Sequence, residues 1–188
     1  VPQRVAAARK PVAGKQQPAQ DVKVETPLYT AVFSTRGASL KSFKLKNYQQ
    51  DCVKCADDIY PAIKRFIFGS KEQAHIKSDA PVELVSIEEG LPHPLAVTFP
   101  ESSVEISAEA MFEADAASLN LLNAKEKKRL VFSGVYDGVI KVEKIFIFDP
   151  EKYTIELDVK MYNLTGAPLV QVPKLSWHQA IDPQKDFG

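Results

Sequence analysis

Cys52 and Cys55, in the run CVKC, are the only thiols in the chain. Two thiolates at this spacing can form a redox-active disulfide or supply half of a zinc site. A zinc site needs a second pair of ligands, and His75, His93 and His178 stand singly and far apart. A thioredoxin-like centre needs a strand running into a helix, whereas CVKC lies in a segment rich in Lys and Asp. The residues favour a local disulfide in an oxidising compartment, or two idle thiols, over either chemistry. Nucleophilic hydrolysis finds no GxSxG elbow, and His93 in LPHPL sits between prolines, as loop histidines do. A carboxylate pair for glycoside work is set by the fold, and no Glu or Asp is singled out by its spacing. No catalytic, cofactor-binding or metal-ligating residue is therefore assigned.

Three further groups have two readings each. Trp177, the only tryptophan, lies in LSWHQAI; it is a candidate stacking contact for a sugar, peptide or partner, and its ordinary role would be a core anchor. The basic run KEKKR, Lys125 to Arg129, could meet phosphate headgroups, but such runs are usually solvated loops. Asn163 in NLT matches a glycosylation acceptor and also the turn that ends a strand.

The elements that must position these residues are strands. Val22 and Val24, then Tyr29, Ala31 and Phe33, alternate with polar neighbours on either side of Pro27, which cannot donate to a central ladder. Gly37 supplies a positive φ for the following turn. In the returning strand Leu40 is apolar on one phase and Phe43 and Leu45 on the other, which predicts a bulge near Lys41 or Ser42. Lys41, Lys44 and Lys46 read as solvated charge guarding an exposed strand against edge pairing. Three more strands follow in KRLVFSGVYDGVIKVEKIFIFDPEKYTIELDVKMYN, joined at YDG and DPEK. In the last of them Ile155, Leu157, Val159 and Met161 face one way and Glu156, Asp158 and Lys160 the other, as in an antiparallel sheet with one wet face. The runs VELVSI, PLAVTF, SVEIS and LVQV have strand length. DDIYPAIKRFIFG and AEAMFEADAASLNLLNAKEKKR mix helical and strand signals, leaving room for one or two short helices. A large antiparallel sandwich satisfies most of the chain.

The chain has 188 residues, 45% of them hydrophobic, and 24 basic side chains against 24 acidic ones. That length suits one domain with a real core, and the balanced charge leaves no field to gather nucleic acid. No segment approaches the roughly 18 apolar residues of a membrane-spanning helix. Residues 1–20 mix Pro, Ala, Gln and basic residues with no period, so they are expected to be a flexible tether, with the folded domain over 21–188.

The ordered series FSTRGASLKSFKLKNY, GVIKVEKIFIFDPEKYTIELDVKMYN, TGAPL and LSW resembles the extracytoplasmic domain of YidC-type membrane protein insertases. The residues that carry the likeness are Phe33 to Tyr48, with its Thr-Arg-Gly turn, and Lys144, Phe146, Phe148, Tyr153 and Asn163. The resemblance implies a β-supersandwich of galactose-mutarotase-like shape on the periplasmic face of a bacterial inner membrane, with residues 1–20 following a membrane anchor. It implies a non-catalytic scaffold or partner-docking module of an insertase and chaperone. Expected partners are Sec translocon components and nascent membrane proteins; no cofactor is implied. A carbohydrate-binding or mutarotase-like sandwich is the alternative. Because the family domain usually runs beyond the position of Gly188, a sandwich incomplete at its C-terminus is expected, with an edge open to dimerisation or strand addition. CVKC belongs to no pattern of this family, so the resemblance gives Cys52 and Cys55 no role.

Overall fold

The computed structural model describes residues 18–49, 81–88 and 90–178. Cys52, Cys55 and His75, and the stretch DDIYPAIKRFIFG, lie outside these residues. Eleven strands are described: β1 (Asp21–Glu25), β2 (Tyr29–Ser34), β3 (Ser39–Gln49), β4 (Pro81–Glu83), β5 (Ala96–Thr98), β6 (Glu113–Ala114), β7 (Ser118–Asn120), β8 (Lys128–Tyr136), β9 (Ile140–Phe148), β10 (Ile155–Asn163) and β11 (Lys174–Ser176). They form a five-stranded sheet in the order β4-β3-β2-β1-β7, a four-stranded sheet in the order β10-β9-β8-β6, and the small pair β11-β5. The pairings are antiparallel except β1 with β7. The protein is therefore mainly β, an antiparallel sandwich. Its described residues contain no helix, and none long and apolar enough to cross a membrane. The mixed stretch 108–129 supplies the short β6 and β7 and the start of β8, so Lys128 and Arg129 of the basic run are strand residues.

Alternation builds the core. Val22 and Val24 of β1, Tyr29, Ala31 and Phe33 of β2, and Leu40 and Phe43 of β3 are buried on one side; Leu130, Phe132, Ile140, Val142, Phe146 and Phe148 of β8 and β9 are buried opposite them. Phe33 lies 4.6 Å from Phe146 and 5.8 Å from Phe148 between ring centroids, so the two sheets meet ring to ring. The turn between β1 and β2 is closed by Thr26, whose hydroxyl accepts from the Leu28 and Tyr29 amides and donates to the Tyr29 carbonyl. Pro27 lies in that turn, where its missing N–H costs nothing.

The bulge falls where the phase slip put it. Val32 pairs with Ser42 and Phe33 with Leu40, leaving Lys41 as the extra residue, so that Leu40 and Phe43 both point inward. The carboxylate of Glu83 accepts the Phe43 amide at 2.7 Å and meets the Ser42 hydroxyl, binding the short β4 to the irregular strand. The lysines of β3 do not guard an edge, because β3 is an inner strand. Two of them pair with carboxylates on β1: Lys41 with Asp21 at 2.7 Å and Lys46 with Glu25 at 3.2 Å.

The turns are also legible in their chemistry. Asp137 and Gly138 both have positive φ, and the Val139 amide donates to the Tyr136 carbonyl, the mirror-image turn that suits twisted hairpins. In DPEK the Asp149 carboxylate accepts the Glu151 amide at 3.0 Å. Asn163 ends β10, accepting the Thr165 amide and donating to the Ala167 carbonyl, which is the turn reading of NLT.

Candidate functional site

The Thr35-Arg36-Gly37 turn is the point at which the distant parts of the chain converge. The Thr35 hydroxyl accepts the Gln20 amide at 2.8 Å, the Thr35 amide donates to the Gln20 carbonyl, and the Thr35 carbonyl accepts from Phe112. The Arg36 amide donates to the Ser34 hydroxyl, and the Ser39 hydroxyl donates to the Arg36 carbonyl, so both serines are committed to the turn. Gly37 has a φ of +69, and its amide donates to the Ala110 carbonyl at 2.7 Å. A Cβ at Gly37 would stand 2.3 Å from the Ala108 carbonyl oxygen, so no larger residue fits.

Into this turn reaches Lys144. On β9 it occupies the inward phase shared by Ile140, Val142, Phe146 and Phe148, and it is fully buried. Its Nζ donates to the carbonyls of Gly37 at 3.0 Å, Ala38 at 2.6 Å and Leu95 at 2.6 Å. An ammonium has three N–H bonds, and each meets one acceptor. Gly37, Ala38 and Leu95 all have positive φ, which is uncommon for the two non-glycine residues. Their carbonyls are thereby turned toward one cation. The Phe146 ring lies 5.5 Å from Nζ and the Phe112 ring 6.0 Å, presenting π faces to the charge. Burial pulls the Lys144 ammonium down to about 7, while the three carbonyl dipoles favour the charged form and oppose that pull.

Leu95 extends the clamp. Its amide donates to the Ser176 carbonyl in β11, and the adjacent Pro94 carbonyl accepts the Leu40 amide of β3. One ammonium therefore ties β9 to the β2–β3 turn and to the segment that carries the β5–β11 pair.

Beside the turn lies a polar cavity of about 300 Å³. Its charges are matched in pairs, Lys41 with Asp21 and Arg36 with Glu109 at 3.3 Å. His93 also lines it, with a buried Nδ1 that has no hydrogen-bond partner among the described residues. Burial, and then the Lys41 charge, lower the His93 pKa, favouring the neutral ring. With its ion pairs closed and its serine hydroxyls bonded to backbone, the cavity holds, among the described residues, no nucleophile paired with a base. No group of His, Cys, Asp or Glu among the described residues is arranged to hold a metal ion.

Of the residues singled out in the sequence, Trp177 does not line this cavity and is 60% exposed, so it is not the core anchor that its type suggested. The motif blocks do come together. Phe33 packs on Phe146 and Phe148, Lys144 bonds the turn residues Gly37 and Ala38, and Tyr153 lies 6.1 Å from Tyr48 and 6.5 Å from Tyr29. The role of Lys144 was not read from the sequence, although its phase within IKVEKIFIF signals it: a lysine in register with four buried apolar residues must find acceptors inside.

These contacts define an antiparallel β-sandwich domain whose most characteristic residues hold one sheet to the other. Residues 69–187 match the family model of the YidC periplasmic domain, and the chain belongs to that family. It is similar to proteins named membrane protein insertase YidC: 40% identical over 94% of the chain to that of Syntrophus aciditrophicus, and 34% over 87% to that of Pelobacter propionicus. That of Oleidesulfovibrio alaskensis is 33% identical over 88% of the chain. The chain spans about a quarter of the length of these relatives, 28% of the first two and 26% of the third.

Proposed function

We propose that this chain is a non-catalytic domain of a membrane protein insertase, standing on the periplasmic face of the inner membrane as a scaffold that docks partners. The observation that carries this reading is the family match, supported by relatives bearing the insertase name across nearly the whole chain. The interior clamp at Lys144 supports a scaffolding role: the chain's motif residues secure packing, and the cavity beside them has its charges already paired. Residues 1–20 serve as the tether from a membrane anchor, and residues 21–188 form the periplasmic sandwich. Partners of this domain are Sec translocon components and nascent membrane proteins, met on its outer surface. Among the described residues nothing favours the carbohydrate reading, since Trp177 is outside the cavity.

The test places the parent insertase in cells depleted of their own, with and without residues 21–188, and follows insertion of a reporter membrane protein together with crosslinking to Sec components. A scaffold predicts lost crosslinks with insertion slowed but present. Unchanged crosslinks on deletion, or insertion supported by this chain alone, would overturn the reading.

A further inference from the structure

The cavity beside the β2–β3 turn is lined by charges that sum to zero, Arg36 and Lys41 against Asp21 and Glu109. All four side chains are more than a third exposed, so both ion pairs are weakly held and exchange readily with a competing charge. A ligand of one sign satisfies two of these groups and strands the other two. A ligand that carries both signs satisfies all four.

Two further groups narrow the choice. The Ser34 hydroxyl is buried and accepts the Arg36 amide at 3.1 Å, while its own proton has no acceptor among the described residues. It joins Arg36 and Lys41 as a third donor for an anion, which suits the four oxygens of a phosphate better than the two of a carboxylate. His93 is the opposite kind of group. The Leu40 backbone hydrogen-bonds its ring and favours a proton there, which leaves the buried, unpartnered Nδ1 as the acceptor of the neutral imidazole. A primary ammonium offers N–H bonds to Nδ1 and to the carboxylates of Asp21 and Glu109 together, whereas a quaternary ammonium has none to give.

We propose that this cavity binds a phosphoethanolamine group, its phosphate taken by Arg36, Lys41 and Ser34 and its ammonium by Asp21, Glu109 and His93. A volume of about 300 Å³ gives the group room. It occurs both as the free compound and as the headgroup of a phospholipid. Ala19 lines the cavity and Gln20 is bonded to Thr35, so the site lies at the end of the sandwich where β1 begins. The proposed tether enters at that end; a headgroup source rests on that reading, and the site itself does not.

The test titrates the chain with O-phosphoethanolamine, phosphocholine and inorganic phosphate, following the ring nitrogens of His93 and the amides of Arg36 and Gly37 by nitrogen-15 NMR. Phosphoethanolamine should shift all of them saturably, and the other two should bind about tenfold more weakly or worse. Arg36→Gln and His93→Phe, checked for folding by far-UV circular dichroism, should each lose about tenfold in affinity for phosphoethanolamine; the amides report on the second variant. Cosedimentation with phosphatidylcholine vesicles, with and without phosphatidylethanolamine, separates the sources. Recruitment by phosphatidylethanolamine supports the headgroup, and binding of the free compound without recruitment supports a soluble ligand. Absence of a saturable shift would overturn the proposal. So would an equal response to phosphocholine or to phosphate, or an affinity unchanged in both variants.

Discussion

Lys144 holds a charge where none would survive without acceptors, and its three carbonyl bonds replace the water it lost. Replacing it with methionine keeps the volume and orphans three carbonyls. Lys144→Met is expected to cost about 2 kcal/mol or more in urea unfolding, because a buried acceptor left unpaired costs roughly 1–3 kcal/mol. The pH dependence has a definite sign. The folded pKa of about 7 lies below the unfolded value, so from about 7 to about 10 the unfolded chain binds more protons and stability rises with pH. Burial raises Tyr29 to about 12, and its contribution, present below the ordinary tyrosine range, is lost only as pH climbs from there toward 12. Urea midpoints of the native chain should therefore increase between about pH 7.5 and about pH 9.5, above the range in which His93 titrates, and those of Lys144→Met should lack this rise; parallel profiles would place the titration elsewhere. Trp177 offers a simpler check: exposed as it is, its fluorescence should be quenched by iodide nearly as fully as that of free tryptophan. Little of this could be read from residue types alone. Lys144 and Trp177 were both visible, but whether a side chain faces core or water depends on which strand lies across from it.

At the scale of elements, the two glycine turns separate geometry from packing. Gly138 has a φ of +66 with open space around its Cβ position, whereas Gly37 combines a φ of +69 with a carbonyl oxygen at 2.3 Å. Gly138→Ala should lose about 1–2 kcal/mol, the cost of the left-handed conformation, and Gly37→Ala clearly more, since the β2–β3 turn must shift away from Ala108 and from Lys144. Thermal melts of the two variants make the comparison; equal losses would mean that the turn yields without disturbing the clamp. The strands themselves were largely legible. Alternation marked β1, β2 and β8 to β10, Pro27 marked a boundary, and the phase slip at Leu40 and Phe43 put a bulge near Lys41 or Ser42, where the register leaves Lys41 as the extra residue. The position of β3 within the sheet was not legible, because its lysines read as edge guards until β4 was seen beyond them. Nor were β6 and β7, two and three residues long, which pairing with β8 and β1 defines rather than any local pattern.

For the whole molecule, the order of motif blocks identified the family, and the fold gives a reason for that order: Phe33 and the Thr35-Arg36-Gly37 turn meet Lys144, Phe146 and Phe148 across the sandwich. The polar cavity escaped the sequence, since Asp21, Arg36, Lys41, His93 and Glu109 come from separated segments. The scaffold role proposed for the domain requires it to move as one body, and a single ammonium joins the four-stranded sheet, the β2–β3 turn and the segment leading to β5. Native-state hydrogen exchange tests that unity most directly, at the amides of Gly37, Leu40 and Leu95 set against those of β9. In the native chain these three should exchange as slowly as β9, through global opening; in Lys144→Met they should lose protection relative to β9 by about tenfold or more. If their protection relative to β9 is the same in both proteins, the lysine clamp does not hold the sheets together.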